Sequence, residues 1–281
     1  MTERQHRFVS TDGIELFLRE YPGPNDAPVV LCLPGLTRNS RDFVAISQRL
    51  ARRYRVIAPD LRGRGYSEHD AEWRRYHPGT YVGDVWELLD HLAIERCAIL
   101  GTSLGGLIAM LMANAQPERV TGIVLNDVGP EVAPEGLARI VQYVGLRPPV
   151  STWAEAAAQC EDAYGVTLPE YGADDWLAFA RQGYRENARG EPELDFDPNI
   201  GRALREVGGT LPDPWALFGS LTVPMLCLRG AISDILSVAI LERMQAMQPT
   251  MMAVTIPDRG HVPQLTEPPS IDAIEAFLGG L

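Results

Sequence analysis

The amino-acid sequence predicts an α/β fold: a doubly wound, mostly parallel sheet interrupted by an inserted helical cap. Three observations carry this expectation. Short apolar runs alternate with stretches of helical period over residues 1–128, the rhythm breaks between 129 and 219, and it resumes from 220 to 281. Apolar runs bounded by turns are what strands buried on both faces require. The working end of such a sheet lies at the carboxyl ends of its strands.

The elements follow in order. A hairpin opens the chain, with Phe8 and Val9, a Thr11-Asp12-Gly13 turn, then Ile14, Leu16 and Leu18 alternating with Glu15, Phe17 and Arg19. Parallel strands are expected at 29–33, 55–58, 98–100 and 123–125, separated by helices at 41–52, 81–92 and 104–115. Residues 129–219 turn rich in Trp, Tyr, Pro and acid, with helical stretches at 153–164 and 174–186 and no strand pattern. Strands at 223–229 and 252–256 then alternate with helices at 236–247 and 270–278. The expected organisation is therefore a core of residues 1–128 and 220–281 with a cap of residues 129–219.

Composition excludes much chemistry. The chain has 281 residues, 46% of them hydrophobic, and a net charge of −12, which disfavours nucleic acid and anionic membrane surfaces as partners. All 25 basic residues are arginine. Without lysine there is no Schiff-base chemistry, no Walker lysine and no Ser-Lys dyad. Cys32, Cys97, Cys160 and Cys227 form no C-x-x-C pair, and no metal-ligand spacing occurs, so neither metal nor cofactor is expected. The N-terminus has no apolar signal region and no run reaches membrane-spanning length, so the expected location is cytoplasmic.

The sharpest local feature is Gly101-Thr102-Ser103-Leu104-Gly105-Gly106, set between an apolar strand and the apolar helix LIAMLMANA. A serine at such a strand–turn–helix bend is pushed out of the chain, and glycines two residues to either side keep its surroundings clear. Of the five histidines, His261 alone lies in a short loop just past the last strand, where an imidazole returns to the strand ends. The carboxylate that would orient it is read as Asp234, in the loop after strand 223–229. Asp127, in LNDVGPE, competes for that role but reads equally well as a hinge into the cap. Backbone amides of Leu36 and Leu104 are the expected oxyanion donors, since Pro34 has no N–H to offer.

At these residues the chain resembles the α/β-hydrolase superfamily, and within it the capped esterases, lactonases and C–C hydrolases. The resemblance spans the whole chain: Leu33-Pro34-Gly35, the stretch from Tyr54 through Pro59-Asp60-Leu61-Arg62-Gly63-Arg64-Gly65 to Ser67, the Ser103 bend, and Gly260-His261 with Glu267-Pro268. It implies the α/β-hydrolase fold, and the order Ser103, Asp234, His261 is the family's order. Pro34 stands where the family usually has histidine, and Val262 where C–C hydrolases commonly have tryptophan. Related dehalogenases and epoxide hydrolases carry a carboxylate at the bend, where this chain has serine.

The expected function is a serine hydrolase of a small, largely apolar carboxylic ester or lactone, acting through an acyl-enzyme. The alternatives are C–C bond hydrolysis of a vinylogous diketone, or a non-catalytic ligand sensor on the same fold.

Overall fold

The computed structural model describes residues 2–206 and 213–281. Residues 207–212 of the expected cap lie outside the described residues. Strands β1 (Arg4–Val9) and β2 (Glu15–Tyr21) form the predicted hairpin. Then come β3 (Val29–Leu33), α1 (Val44–Leu50), β4 (Arg55–Pro59), α2 (Pro78–His91), β5 (Cys97–Thr102), α3 (Leu104–Ala115) and β6 (Val120–Asn126). The chain between β6 and the next sheet strand builds α4 (Pro134–Tyr143), α5 (Trp153–Tyr164), α6 (Ala173–Gly183), β7 (Tyr184–Glu186), β8 (Pro192–Leu194), α7 (Asn199–Glu206) and α8 (Pro214–Gly219). It closes with β9 (Met225–Gly230), α9 (Val238–Met247), β10 (Met252–Ile256) and α10 (Pro268–Gly279).

Eight strands make one sheet in the order β1-β2-β4-β3-β5-β6-β9-β10. Only β2 runs antiparallel to its neighbours; β4, β3, β5, β6, β9 and β10 are mutually parallel. From β3 the chain winds first to β4 on one side and then to β5 on the other. The topological switch point, where open α/β sheets leave a crevice, therefore lies between the carboxyl ends of β3 and β5.

Both faces of the sheet are covered. Leu31, Leu33, Ile57, Ile99, Ile123 and Leu125 face one core with α2 and α3, while Val30, Cys32, Val56, Leu100 and Val124 face another with α1 and α10. That two-sided burial is why these strands read as continuous apolar runs and not as alternating ones. All four cysteines are buried and free.

Two expectations change. The helix predicted at 41–52 begins as a 3₁₀ turn over Ser40–Phe43, capped by the Asn39 side chain on the Arg41 amide. The helix predicted at 174–186 stops at Gly183, and Tyr184–Glu186 instead pairs antiparallel with Pro192–Leu194. Three residues are too few to leave a period in the sequence; the signal was the turn Asn187–Gly190, closed by a 2.9 Å amide bond with Gly190 at φ +77°.

The segment between β6 and β9 has a small apolar cluster of its own, including Cys160, Leu168, Trp176 and Phe179. It is not separate from the sheet, because Val144, Phe196, Ile200, Trp215 and Phe218 join the main core.

A buried ion cluster fixes the loop after β4. Arg62, 1% exposed, donates to Asp84 at 2.7 and 2.5 Å, to Asp70 at 2.6 Å and to Asp12 at 3.0 Å. Removing the cation would strand several carboxylates, so Arg62→Met should lower the unfolding free energy by about 3–5 kcal/mol in urea titrations. Burial raises the Asp12 pKa, but hydrogen bonds from Arg62 and Ser10, with the Arg62 and Arg75 charges, outweigh it and bring the carboxyl to about 2. The folded value lies below the unfolded one. Asp12 therefore stabilises the fold fully above its unfolded pKa of about 4, and this is lost as pH falls toward 2. Asp12→Asn should flatten that acid limb.

Candidate active site

Ser103 sits between β5 and α3 with φ +51° and ψ −114°, a conformation costly to a residue with a side chain. Its neighbours hold it there. The Ser103 amide donates to the Asn126 carbonyl at 3.1 Å, and its carbonyl accepts the Gly106 and Leu107 amides at 2.9 and 3.2 Å. A Cβ on Gly101 would lie 2.3 Å from the Gly105 carbonyl oxygen, and one on Gly105 would lie 2.1 Å from that of Leu33. The two glycines let α3 start hard against β3 and β5. The Ser103 hydroxyl does not cap the helix, which frees it for another partner.

That partner is His261, whose Nε2 lies 2.9 Å from Ser103 Oγ. The loop after β10 brings the imidazole over β6, and Nδ1 meets Asp127 Oδ2 at 2.8 Å. Asp127 is wholly buried and His261 is 9% exposed. A carboxylate can only accept here, so Nδ1 carries the hydrogen and Nε2 is left to accept the serine proton. Asp127 Oδ1 also accepts the Gly230 amide at 2.8 Å, and Oδ2 accepts the Ser233 hydroxyl at 2.6 Å. The Asn126 side-chain amide donates to the Pro263 carbonyl at 2.9 Å, anchoring the histidine loop to β6.

The structure corrects the carboxylate expected on His261. Asp234 does not contact the imidazole; Arg139 of α4 grips it through Nε at 2.6 Å and Nη2 at 2.9 Å. Burial raises the Asp234 pKa, yet the Arg139 hydrogen bonds and charge bring it below the usual range. In the sheet β9 lies next to β10, which leads into the histidine loop, and β6 lies next to β9, so both strand ends are near enough to supply an acid. The choice turns on a cation held 95 residues away in sequence, which strand order does not reveal.

The loop after β3 runs beside the serine. A Cβ on Gly35 would sit 3.8 Å from that of Ser103. Leu36 lines the same cleft, and its carbonyl accepts Nε of the fully buried Arg64 at 2.6 Å. Leu104 is the first residue of α3, so its amide belongs to the helix-start donors that have no intrahelical partner. Among the described residues neither the Leu36 nor the Leu104 amide has an acceptor within the protein.

These groups open into a cleft that measures about 740 Å³ with the solvent space at its mouth included. Its floor is Gly35 to Arg38, Ser103 and His261; its roof is Ile140, Tyr143, Val144, Tyr164, Leu168 and Phe179 from the segment between β6 and β9. Three of that segment's ten aromatics thus face the cleft. Others, such as Trp176 and Trp215, fill the apolar clusters beneath them. Sequence reasoning missed Ser233, Arg38 and Gln264, because a loop serine, arginine or glutamine carries no periodicity or motif. Among the described residues, no group of three or more His, Cys, Asp or Glu could hold a metal ion, and no helix is long and apolar enough to cross a membrane.

Comparison with known proteins agrees with this architecture. Residues 28–143 match the family model described as alpha/beta hydrolase fold. The chain is 32% identical to 3-hydroxybutyrate-oligomer hydrolase of Cupriavidus necator, over 97% of this chain and 96% of that one. It is 27% identical to 2-(acetamidomethylene)succinate hydrolase of Mesorhizobium japonicum, over 97% and 94%. Among solved structures, an alpha/beta hydrolase from Novosphingobium aromaticivorans superposes with a TM-score of 0.93 at 43% identity, covering 99% of both chains. With a doubly wound parallel sheet, a serine at its switch point and relatives matching along their full length, this chain belongs to the α/β-hydrolase fold family and is a hydrolase.

Proposed function

We propose that the protein hydrolyses a small carboxylic ester or lactone through an acyl-enzyme. The observation that carries this reading is the continuous hydrogen-bonded series Ser103–His261–Asp127 beneath a largely apolar cleft. Ser103 Oγ attacks the ester carbonyl as His261 Nε2 takes its proton. The amides of Leu36 and Leu104 receive the negative charge on the carbonyl oxygen, each such donor being worth about 3–4 kcal/mol in the transition state. His261 then protonates the leaving alcohol, and water attacks the acyl-enzyme by the same route in reverse. Asp127 keeps the imidazole in its reactive tautomer and balances the imidazolium charge. The cleft roof from residues 129–219 acts as a cap over a core of residues 1–128 and 220–281, and no metal or cofactor takes part.

The relative named 3-hydroxybutyrate-oligomer hydrolase supports the ester assignment, since oligomers of a hydroxy acid are joined through ester bonds. Val262 next to His261 leaves the histidine loop without the tryptophan that the resemblance associates with C–C hydrolases.

Steady-state hydrolysis of p-nitrophenyl butyrate, with covalent labelling by a fluorophosphonate, tests the reading. Ser103→Ala should abolish both; labelling that persists on another residue would overturn it. Asp127→Asn should lower kcat by about 10⁴-fold, whereas Asp234→Asn should leave it within about tenfold. The reverse pattern would return the acid role to Asp234.

Ser233→Ala removes a hydroxyl from the oxygen that Asp127 shares with His261, and should lower kcat by about tenfold, the loss expected for one hydrogen bond to a charged group.

A further inference from the structure

We propose that a second chamber behind the reaction cleft, flanked by Arg38 and Arg147, binds a carboxylate at the far end of the substrate, so that the preferred ester is itself an acid. The inference rests on the ester-hydrolase reading above and names its substrate class. The chamber measures about 430 Å³ with the solvent space at its mouth included, and it shares Thr37, Arg38, Tyr143 and Tyr164 with the cleft, so the proposed substrate chain would have to pass between these four side chains to reach it from Ser103.

Its charges are one-sided. Arg38 and Arg147 line the chamber and no carboxylate does, although residues 129–219 carry seven arginines against fifteen Asp and Glu. Arg38 spends Nε and Nη2 on Asp42, at 2.8 and 2.5 Å, but Asp42 lies on the cleft side, and Nη1 has no acceptor among the described residues. Arg147 donates Nη1 to the Gln159 carbonyl at 2.5 Å and reaches only Asp162, whose side chain is 80% exposed. Both guanidiniums are themselves mostly buried, with 14% and 16% of their side chains exposed. They also act on the same space. Burial pushes the Cys160 thiol and the Tyr184 phenol up at the chamber wall, and Arg38 and Arg147 both pull each of them back down.

A planar anion is the ligand such a pair suits, because a guanidinium offers parallel N–H groups in a fixed fork. The remaining wall, including Ala163, Leu194 and Phe196, is apolar and gives a methylene chain nothing to be repelled by. A polyanion is disfavoured by the acidic surroundings. The geometry therefore points to a monocarboxylate on a short aliphatic tether, carried on either the acyl or the alcohol side of the ester.

Two matched substrate series test this. In the acyl series, p-nitrophenyl hydrogen adipate is compared with its primary amide; in the alcohol series, the butyrate ester of 4-hydroxybutanoic acid is compared with its primary amide. The acid should exceed the amide in kcat/KM by about tenfold in at least one series, mainly through KM. Arg147→Gln should bring that ratio to near one, and Arg147→Lys should keep part of it. Because acid and amide are measured on the same preparation, the ratio does not depend on how much variant folds. Equal rates for acid and amide in both series would overturn the chamber assignment and leave the hydrolase reading standing. If neither series is turned over, the ester reading fails, and calorimetric titration with adipate decides separately. Binding by the native protein that Arg147→Gln loses supports the chamber; no binding to the native protein overturns it.

Discussion

The site depends on one close approach, that of the start of α3 to the strands β3 and β5. The turn at Ser103 is strained, and a strained turn persists only where its surroundings leave no alternative. Here the surroundings are backbone: the Leu33 carbonyl against Gly105 and the Gly105 carbonyl against Gly101, both within a distance that no Cβ tolerates. Because backbone carbonyls of β3 and α3 set the limit, the serine's position follows from how the helix start meets the sheet. The loop after β3, which carries the Leu36 amide, comes to the same point for the same reason: the strand order reverses there.

A second constraint is electrostatic. The chain is strongly acidic overall, yet several of its cations are turned inward: Arg62 and Arg64 are almost wholly buried, and Arg38, Arg139 and Arg147 pack around the cleft roof. A guanidinium can satisfy several acceptors at fixed angles and stays charged when buried, which an ammonium does less well. Arg64 shows this use. It holds the Leu36 carbonyl, the Arg62 carbonyl and the Tyr81 hydroxyl at once, stacking its plane 4.8 Å from the Tyr81 ring centre. Asp127 is treated in the opposite way: it is wholly buried and receives only neutral donors besides the imidazole.

Much of this was legible in the sequence, and the limit follows the range of each interaction. The sheet strands were visible because burial on two faces leaves apolar runs, and Ser103 because its bend needs glycines at fixed offsets. His261 was found because few histidines compete and only one follows the last strand. Asp234 misled because a loop acid after β9 satisfies every local rule, while its actual partner, Arg139, comes from a helix of the insertion. Ser233 and Arg38 carry no local pattern, since what they touch is decided by the packing of distant segments. The short β7–β8 pair escaped for a different reason, having too few residues to show a period.

The position of Asp234 also shows how the insertion and the site are joined. Two adjacent residues of the loop after β9 look in different directions: Ser233 donates to Asp127, and Asp234 binds Arg139 of α4. The same loop accepts the Ala133 amide on the Ile235 carbonyl at 3.0 Å, and Gly136 of α4 packs so closely that a Cβ there would lie 2.3 Å from the Asp234 carbonyl. The loop that steadies the acid is thus clamped by the helix that forms part of the cleft roof. A displacement of α4 large enough to widen the roof would have to break these contacts or carry Ser233 with it. The acid at the end of β6 and the roof of the cleft are therefore not independent parts. An acid placed at 234, bound directly to the histidine, would have no side chain left with which to hold α4.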